Sequence, residues 1–283
     1  METIKLICKN ETSLKNFLKD SYISKRASNK LIKNGILIND KISTGNKKLN
    51  KGDVVEVPIE DEKLDYEPIK GDLDILYEDE QIIIINKASG ITMNSRNQVN
   101  LSNIIAYYFK ENNIQRKVRL INRLDMNTSG IMLLAKNKYA QSYYQKEIEN
   151  NRLIKKYLAY VEGRIDIDRK VKINISYDKE NKNYYDSKDG LEAITIFKSL
   201  EIKDKYSLIE ANILTGKTHQ IRSSLRELKH PIIGDYLYGS SYKLDRFLLH
   251  SYYLEFTEFL SGERMTIKSL PDFEVYLNEL GLD

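Results

Sequence analysis

The sequence predicts an α+β protein in two parts: a small N-terminal α/β unit over residues 1–60, then a large mixed, mainly antiparallel sheet over residues 73–283. Three observations carry this expectation. After residue 73, apolar runs of strand length outnumber helical patterns. The helical patterns there are too few and too unevenly placed for a doubly wound parallel sheet. Between the two parts, residues 61–72 hold Asp61, Glu62, Asp65, Glu67, Pro68 and Gly71, the composition of a linker.

In the first part, Leu14, Phe17 and Leu18 have helical spacing after Ser13. Ser24 is placed to cap a second helix that carries Ala27, Leu31 and Ile32 and stops near Asn34-Gly35. Strands are expected at Ile36–Asp40 and Val54–Pro58, around the turn formers Gly45-Asn46 and Lys51-Gly52-Asp53. In the second part, strands are expected at Ile75–Tyr77, Ile82–Lys87, Ile131–Ala135, Tyr157–Val161, Ala193–Phe197, Ser207–Leu214, Leu248–Phe256 and Met265–Ile267. Helices are expected at Ser102–Phe109, Tyr139–Glu149, His219–Leu228 and Asp272–Leu280. No internal repeat is visible.

Composition narrows the class. Hydrophobic residues make up 41% and charged residues 30% of the 283, the balance of a soluble globular chain. The single cysteine, Cys8, forms no internal disulfide and no cysteine metal cluster. Three scattered histidines, His219, His230 and His250, do not have metal-ligand spacing, so no metal is expected. The N-terminus lacks the apolar core of a signal peptide, and no apolar run is long enough to span a bilayer, so a cytoplasmic protein without membrane contact is expected. A net charge of +4 is too mild to establish a nucleic-acid partner by itself. The charge is uneven, however. From Lys25 to Lys51 there are Lys25, Arg26, Lys30, Lys33, Lys41, Lys47, Lys48 and Lys51 against the single acid Asp40. A solvated helix face would explain a lone lysine run, but one-sided charge on a two-helix unit points to phosphate contact.

The run Ser24-Lys25-Arg26-Ala27-Ser28, then Leu31 to Asn39, then Lys51-Gly52-Asp53, resembles the small RNA-binding domain named after ribosomal small-subunit protein four. That resemblance implies docking of structured RNA through the two helices, with Lys25, Arg26, Lys30 and Lys33 as contacts.

Four segments of the second part stand out for chemistry. They are Ile82 to Gly90, Arg123-Leu124-Asp125 with Thr128-Ser129-Gly130, Lys155 to Gly163, and Leu214 to Arg222, the last continuing into His230 to Gly239. Taken alone, Asp125 beside Arg123 fits either a surface ion pair or a carboxylate held at the mouth of a buried strand. In order and spacing the four segments resemble the RluA family of pseudouridine synthases, from about Asp74 to the end of the chain. The resemblance implies a cofactor-free RNA uridine isomerase acting on structured RNA, with 23S large-subunit ribosomal RNA or its precursor as first expectation and transfer RNA as the alternative; a monomer is the default expectation. It implies that Asp125 attacks the anomeric carbon or deprotonates the sugar beside it. Arg222 would pair with Asp125, favouring its charged form and orienting it through two parallel hydrogen bonds. Tyr157 would stack on the extruded uracil and help move the C5 proton. Arg123 would fill the gap left in the RNA stack. Thr128 would shape the loop or touch substrate, and His219 and Gln220 would bond to backbone or RNA. A non-catalytic RNA-binding protein on the same scaffold remains the rival from another class. A hydrolase built from Ser129, His219 and Asp125 is disfavoured because Ser129 lacks a nucleophile elbow. The sequence departs from the family pattern at Asn122, where histidine is usual, at Lys217, often arginine, and at Ala88, where proline is usual.

Overall fold

The computed structural model describes residues 2–95 and 98–282. The N-terminal unit holds strands β1 (Thr3–Ile7) and β2 (Thr12–Ser13), helices α1 (Leu14–Asp20) and α2 (Lys25–Asn34), then β3 (Ile36–Ile38), β4 (Lys41–Ser43), β5 (Lys48–Leu49) and β6 (Val54–Pro58). β1, β6, β3 and β4 form one antiparallel sheet in that order, and β2 pairs with β5. Both helices start where a serine side chain accepts a backbone N–H: Ser13 from Asn16 and Ser24 from Ala27. Gly35 ends α2 at a φ of 89°, where its Cβ-free backbone turns into β3.

The second part holds β7 (Ile75–Glu78), β8 (Ile82–Lys87), α3 (Leu101–Glu111), β9 (Arg119–Leu120), β10 (Ser129–Ala135), α4 (Lys138–Glu149), β11 (Ile154–Glu162), β12 (Asp168–Asp178), β13 (Asn183–Asp186), β14 (Leu191–Ile202), β15 (Tyr206–Ile213), α5 (Gln220–Glu227), a single 3₁₀ turn (Tyr236–Tyr238), β16 (Leu249–Thr257), β17 (Arg264–Lys268) and α6 (Glu274–Glu279). Its sheet has 11 strands, running β13-β12-β14-β15-β11-β16-β10-β8-β7, with β17 on β16 and β9 on β10. Among the described residues only β10 and β16 pair in parallel, at Ser129–His250 and Gly130–Ser251.

β10 lies under both faces of this architecture. Met132 and Leu134 pack with Ile83 and Ile85 of β8 against Leu101, Ile105 and Phe109 of α3. Ile131, Leu133 and Ala135 pack with Ile82 and Ile84 against Ala140 and Tyr144 of α4. That two-sided burial explains the unbroken apolar runs at 82–85 and 131–135. By contrast, β12 buries one face only. Ile173 and Ile175 face inward while Lys170 and Lys172 face outward, so its charge hid a strand that the sequence reading did not place.

Segment 61–72 has no helix or strand, yet it is strapped to the second part. Arg119 grips both oxygens of Glu62 at 2.6 Å, the Val118 N–H donates to Asp65 at 3.0 Å, and Asn103 donates to the Glu67 carbonyl at 2.9 Å. The N-terminal unit docks beside α4: Ser142 donates to the Tyr22 carbonyl at 2.7 Å, and Tyr139 joins the N-terminal core.

Gly130 is required where β10 meets β16. Its φ is 114°, and a Cβ there would lie 2.3 Å from the Ser251 carbonyl oxygen. Gly130→Ala is expected to lower stability by roughly 2–6 kcal/mol, combining backbone strain with overpacking. Urea unfolding monitored by tyrosine fluorescence measures this. A loss under 1 kcal/mol would show that the two strands can separate at little cost.

Candidate active site

The loop between β9 and β10 carries Arg123, Leu124 and Asp125, and it is held from below. The buried Asn122 accepts the Leu133 N–H at 2.8 Å, so this departure from the family pattern ties the loop to β10. Lys87, fully buried at the end of β8, donates to three carbonyls: Ala88 at 2.8 Å, Met126 at 2.9 Å and Thr128 at 2.9 Å. Its three protons thus satisfy three acceptors around the Asp125 turn. Burial, and then the nearby Arg246 charge, lower the Lys87 ammonium to about 8. The turn closes with the Thr128 N–H donating to the Asp125 carbonyl at 3.1 Å, and Ser89 donates to the Asn127 carbonyl at 3.0 Å.

α5 brings Arg222 to Asp125. Its Nη1 lies 3.1 Å from Asp125 Oδ2, a single contact rather than the expected pair of parallel bonds. The bidentate partner is Asp235: Nε to Oδ2 is 2.6 Å and Nη2 to Oδ1 is 2.9 Å. The side chains of Arg222 and Asp235 are only 6% and 2% exposed, so both charges have left water together. The guanidinium also lies between the Tyr238 ring, 4.7 Å away, and the Phe247 ring, 4.3 Å away. Asp235, Tyr238 and Phe247 received no role in the sequence reading. Asp235 and Tyr238 were within reach of it, in the quoted His230 to Gly239 run, but nothing local marks an aspartate as an arginine's partner.

His219 stands before α5 at a φ of 54°. Tyr238 Oη accepts the Tyr184 N–H at 2.9 Å and also lies 2.9 Å from His219 Nδ1 and 3.3 Å from Ser223 Oγ. His219 Nε2 lies 3.8 Å from Asp125 Oδ2. Burial lowers the His219 pKa, which favours the neutral imidazole. Asp125 Oδ2 is thus claimed by Arg222 and faced by His219, while Oδ1 accepts no hydrogen bond among the described residues.

Asp125, Arg123, Tyr157, His219 and Arg222 line one cleft of about 610 Å³. That falls within the ordinary range for a small-molecule site, roughly 300–1,000 Å³. Tyr157, on β11, is buried and hydrogen-bonded to the Ser251 side chain, and burial pushes its phenol well up. It stays protonated near neutrality, so it offers a ring face rather than a resident base. Arg123 is exposed at the cleft mouth with no ion pair among the described residues. Gln220 was expected to bond to backbone or RNA; the backbone role holds and the substrate-binding role does not. Its amide is consumed by the fold, accepting from Thr215 at 2.8 Å and the Lys217 N–H at 3.0 Å, and donating to the Ile194 carbonyl and Thr195, each at 2.9 Å. No valence is left for RNA, so Gln220 shapes the loop before α5. Thr128 is buried beneath Asp125. Lys25, Arg26, Lys30 and Lys33 lie away from the cleft, exposed on α2; Lys30 is paired with Glu60 at 2.7 Å.

Ser129 does not approach His219. Its Oγ bonds His250 Nδ1 at 2.8 Å and accepts from Arg246 at 2.8 Å. His250 Nε2 lies 3.0 Å from the Ser269 carbonyl, which requires the proton on Nε2 and makes Nδ1 the acceptor of the serine proton. This chain removes the geometry that a serine hydrolase would need.

The chain matches the family model described as RNA pseudouridylate synthase over residues 81–227. It is 38% identical over 226 residues to the RNA pseudouridine synthase YhcT of Bacillus subtilis, covering 76% of this chain and 74% of that one. It is 31% identical over 280 residues to ribosomal large subunit pseudouridine synthase D of Neisseria meningitidis, covering 89% and 75%. Among solved structures, human RNA pseudouridylate synthase domain containing 4 superposes with a TM-score of 0.61 at 23% identity, covering 74% of this chain and 94% of that one, a likeness of fold.

Two outcomes follow from this geometry. Asp235→Asn removes one charge of a buried pair, and is expected to cost about 3–5 kcal/mol of stability and lower the single-turnover rate about 10–100-fold. Thermal melting and quench-flow turnover at a temperature where the variant stays folded measure the two effects; an unchanged rate would free Arg222 from dependence on Asp235. Burial lowers His250 from 6.5 to about 4, so the folded state refuses a proton that the unfolded state accepts. Above pH 6.5 this costs nothing. As pH falls from 6.5 to 4, stability drops by up to about 3 kcal/mol. His250→Gln should flatten that part of the stability–pH curve, measured by urea unfolding at half-unit steps; an identical slope in both proteins would place the acid sensitivity elsewhere.

Proposed function

The chain belongs to the RNA pseudouridylate synthase family, and from that premise we propose that it converts uridines of 23S large-subunit ribosomal RNA, acting as a monomer in the cytoplasm with Asp125 as the essential group. The reaction class follows from the family: an RNA uridine is isomerised to pseudouridine. The observation that carries the aspartate's role is the asymmetry of its carboxylate. Oδ2 is held by Arg222 at 3.1 Å, while Oδ1 is free of hydrogen bonds on the wall of the cleft. A fixed carboxylate with one uncommitted oxygen can attack the sugar C1′, or take the proton from its neighbouring carbon, as the bond from C1′ to uracil N1 breaks.

The surrounding residues then have separate tasks. Tyr157 presents its ring to the released base, which must turn before C5 bonds to C1′ and gives up its proton. Arg123 fills the space that the flipped uridine vacates, since the glycosidic bond is out of reach within a stacked helix. Lys25, Arg26 and Lys33 on α2 supply phosphate contacts for docking, and Lys30 joins them by exchanging its exposed partner Glu60 for RNA. In this reading residues 1–60 form a docking unit of the ribosomal protein S-four type, residues 61–72 connect it, and residues 73–283 hold the chemistry. The ribosomal target is favoured by the likeness to a large-subunit synthase across 89% of the chain.

The test uses unmodified 23S ribosomal and transfer RNA transcripts, with pseudouridine mapped by carbodiimide labelling after incubation with the wild type or Asp125→Ala. Pseudouridine at discrete 23S positions with the wild type, and at least a 10³-fold lower rate with the variant, is the expected result. Modification of transfer RNA alone would reassign the target. Full activity in Asp125→Ala would remove the aspartate from the chemistry.

A further inference from the structure

Lys155 lies on β11 two residues before Tyr157, so alternation along the strand places both side chains on the same face, and both line the cleft. Lys156 takes the opposite face, where Glu210 pairs with it at 3.1 Å. Lys155 has no such partner. Among the described residues no carboxylate lies within ion-pair distance of its ammonium, and no hydrogen bond ends there. It is half-buried, and burial alone lowers its ammonium to about 8. A desolvated cation without a counter-charge is unfavourable in a finished protein. A bound anion would relieve it.

The charge balance of the cleft points the same way. Asp125 is the one carboxylate on the described wall, and Arg222 already faces it. Among the described residues, Arg123, Lys155 and Lys217 remain without carboxylate partners. Arg123 and Lys217 can be solvated more readily; Lys155 is the one whose ammonium burial destabilises.

We propose that Lys155 is a binding site for a backbone phosphate of the RNA adjacent to the flipped uridine, closing on that phosphate as the target nucleotide enters the cleft. The inference rests on the RNA isomerase reading and adds to it an anion subsite on β11. Such a contact acts on binding of the strand and leaves the bond-breaking step to Asp125.

The test compares wild type, Lys155→Gln and Lys155→Arg on the unmodified transcript, ribosomal or transfer, in which the wild type forms pseudouridine. RNA affinity is measured by filter binding from 50 to 200 mM KCl, and turnover is measured in parallel. The expected result for Lys155→Gln is about tenfold weaker binding at 50 mM, a loss that falls in KM rather than kcat, and a log–log salt slope shallower by about 0.7, the contribution of one single-strand phosphate contact. Lys155→Arg should restore the slope. Weaker turnover with an unchanged slope would overturn the proposal, since a contact to the base or a role in packing would act that way. An unchanged affinity would also overturn it. Failure of the isomerase reading would appear separately, as absence of pseudouridine with the wild type itself.

Discussion

The site depends on a buried ion pair that does no chemistry. Arg222 and Asp235 face each other through two hydrogen bonds, both side chains nearly sealed from water, with the guanidinium between two aromatic rings. Desolvating an arginine is costly, and the bidentate partner together with the ring faces offsets that cost. The result is a cation whose remaining Nη1 points in one direction only. Asp125 meets that nitrogen and is oriented by it. A surface arginine would have many rotamers and would orient nothing.

Positioning comes from opposite sides of one loop. From above, Arg222 and His219 both address Asp125 Oδ2. From below, Lys87 gathers the carbonyls of Ala88, Met126 and Thr128, and Asn122 ties the start of the loop to β10. β10 itself is fixed on its far side by the run from Arg246 through Ser129 and His250 to the Ser269 carbonyl. Apart from the Lys87–Ala88 contact, these bonds join residues 11 or more positions apart, so the geometry at Asp125 is a property of the whole sheet. Preorganisation of this kind is what lets a single carboxylate act on a substrate without reorganising first.

Much of this was readable from the chain, for identifiable reasons. The two-sided strands β8 and β10 announce themselves as apolar runs, and Ser24 and Gly35 mark both ends of α2 through local chemistry. Asp125, Tyr157, His219 and Arg222 were singled out because four segments stand in the family's order and spacing, and they line one cleft. What escaped were relations that exist only across the fold. Asp235 lies 13 residues from Arg222, and nothing in the sequence marks it as the bidentate partner. Gln220 was left between backbone and RNA, and only the fold shows that its amide is spent on Thr215, Lys217, Ile194 and Thr195. β12 was missed because outward lysines masked its inward Ile173 and Ile175.

The central claim is that Asp235 acts on Asp125 only through Arg222. A double-mutant cycle on the single-turnover rate of pseudouridine formation tests it, using Arg222→Lys, Asp235→Asn and the two combined. Lysine keeps the charge at position 222 but cannot make the bidentate contact. The account predicts that the double variant is no slower than the slower single variant, because the second change removes a contact already lost. If the two losses multiply, Asp235 reaches the reaction by a separate route, and the buried pair is not what orients the aspartate.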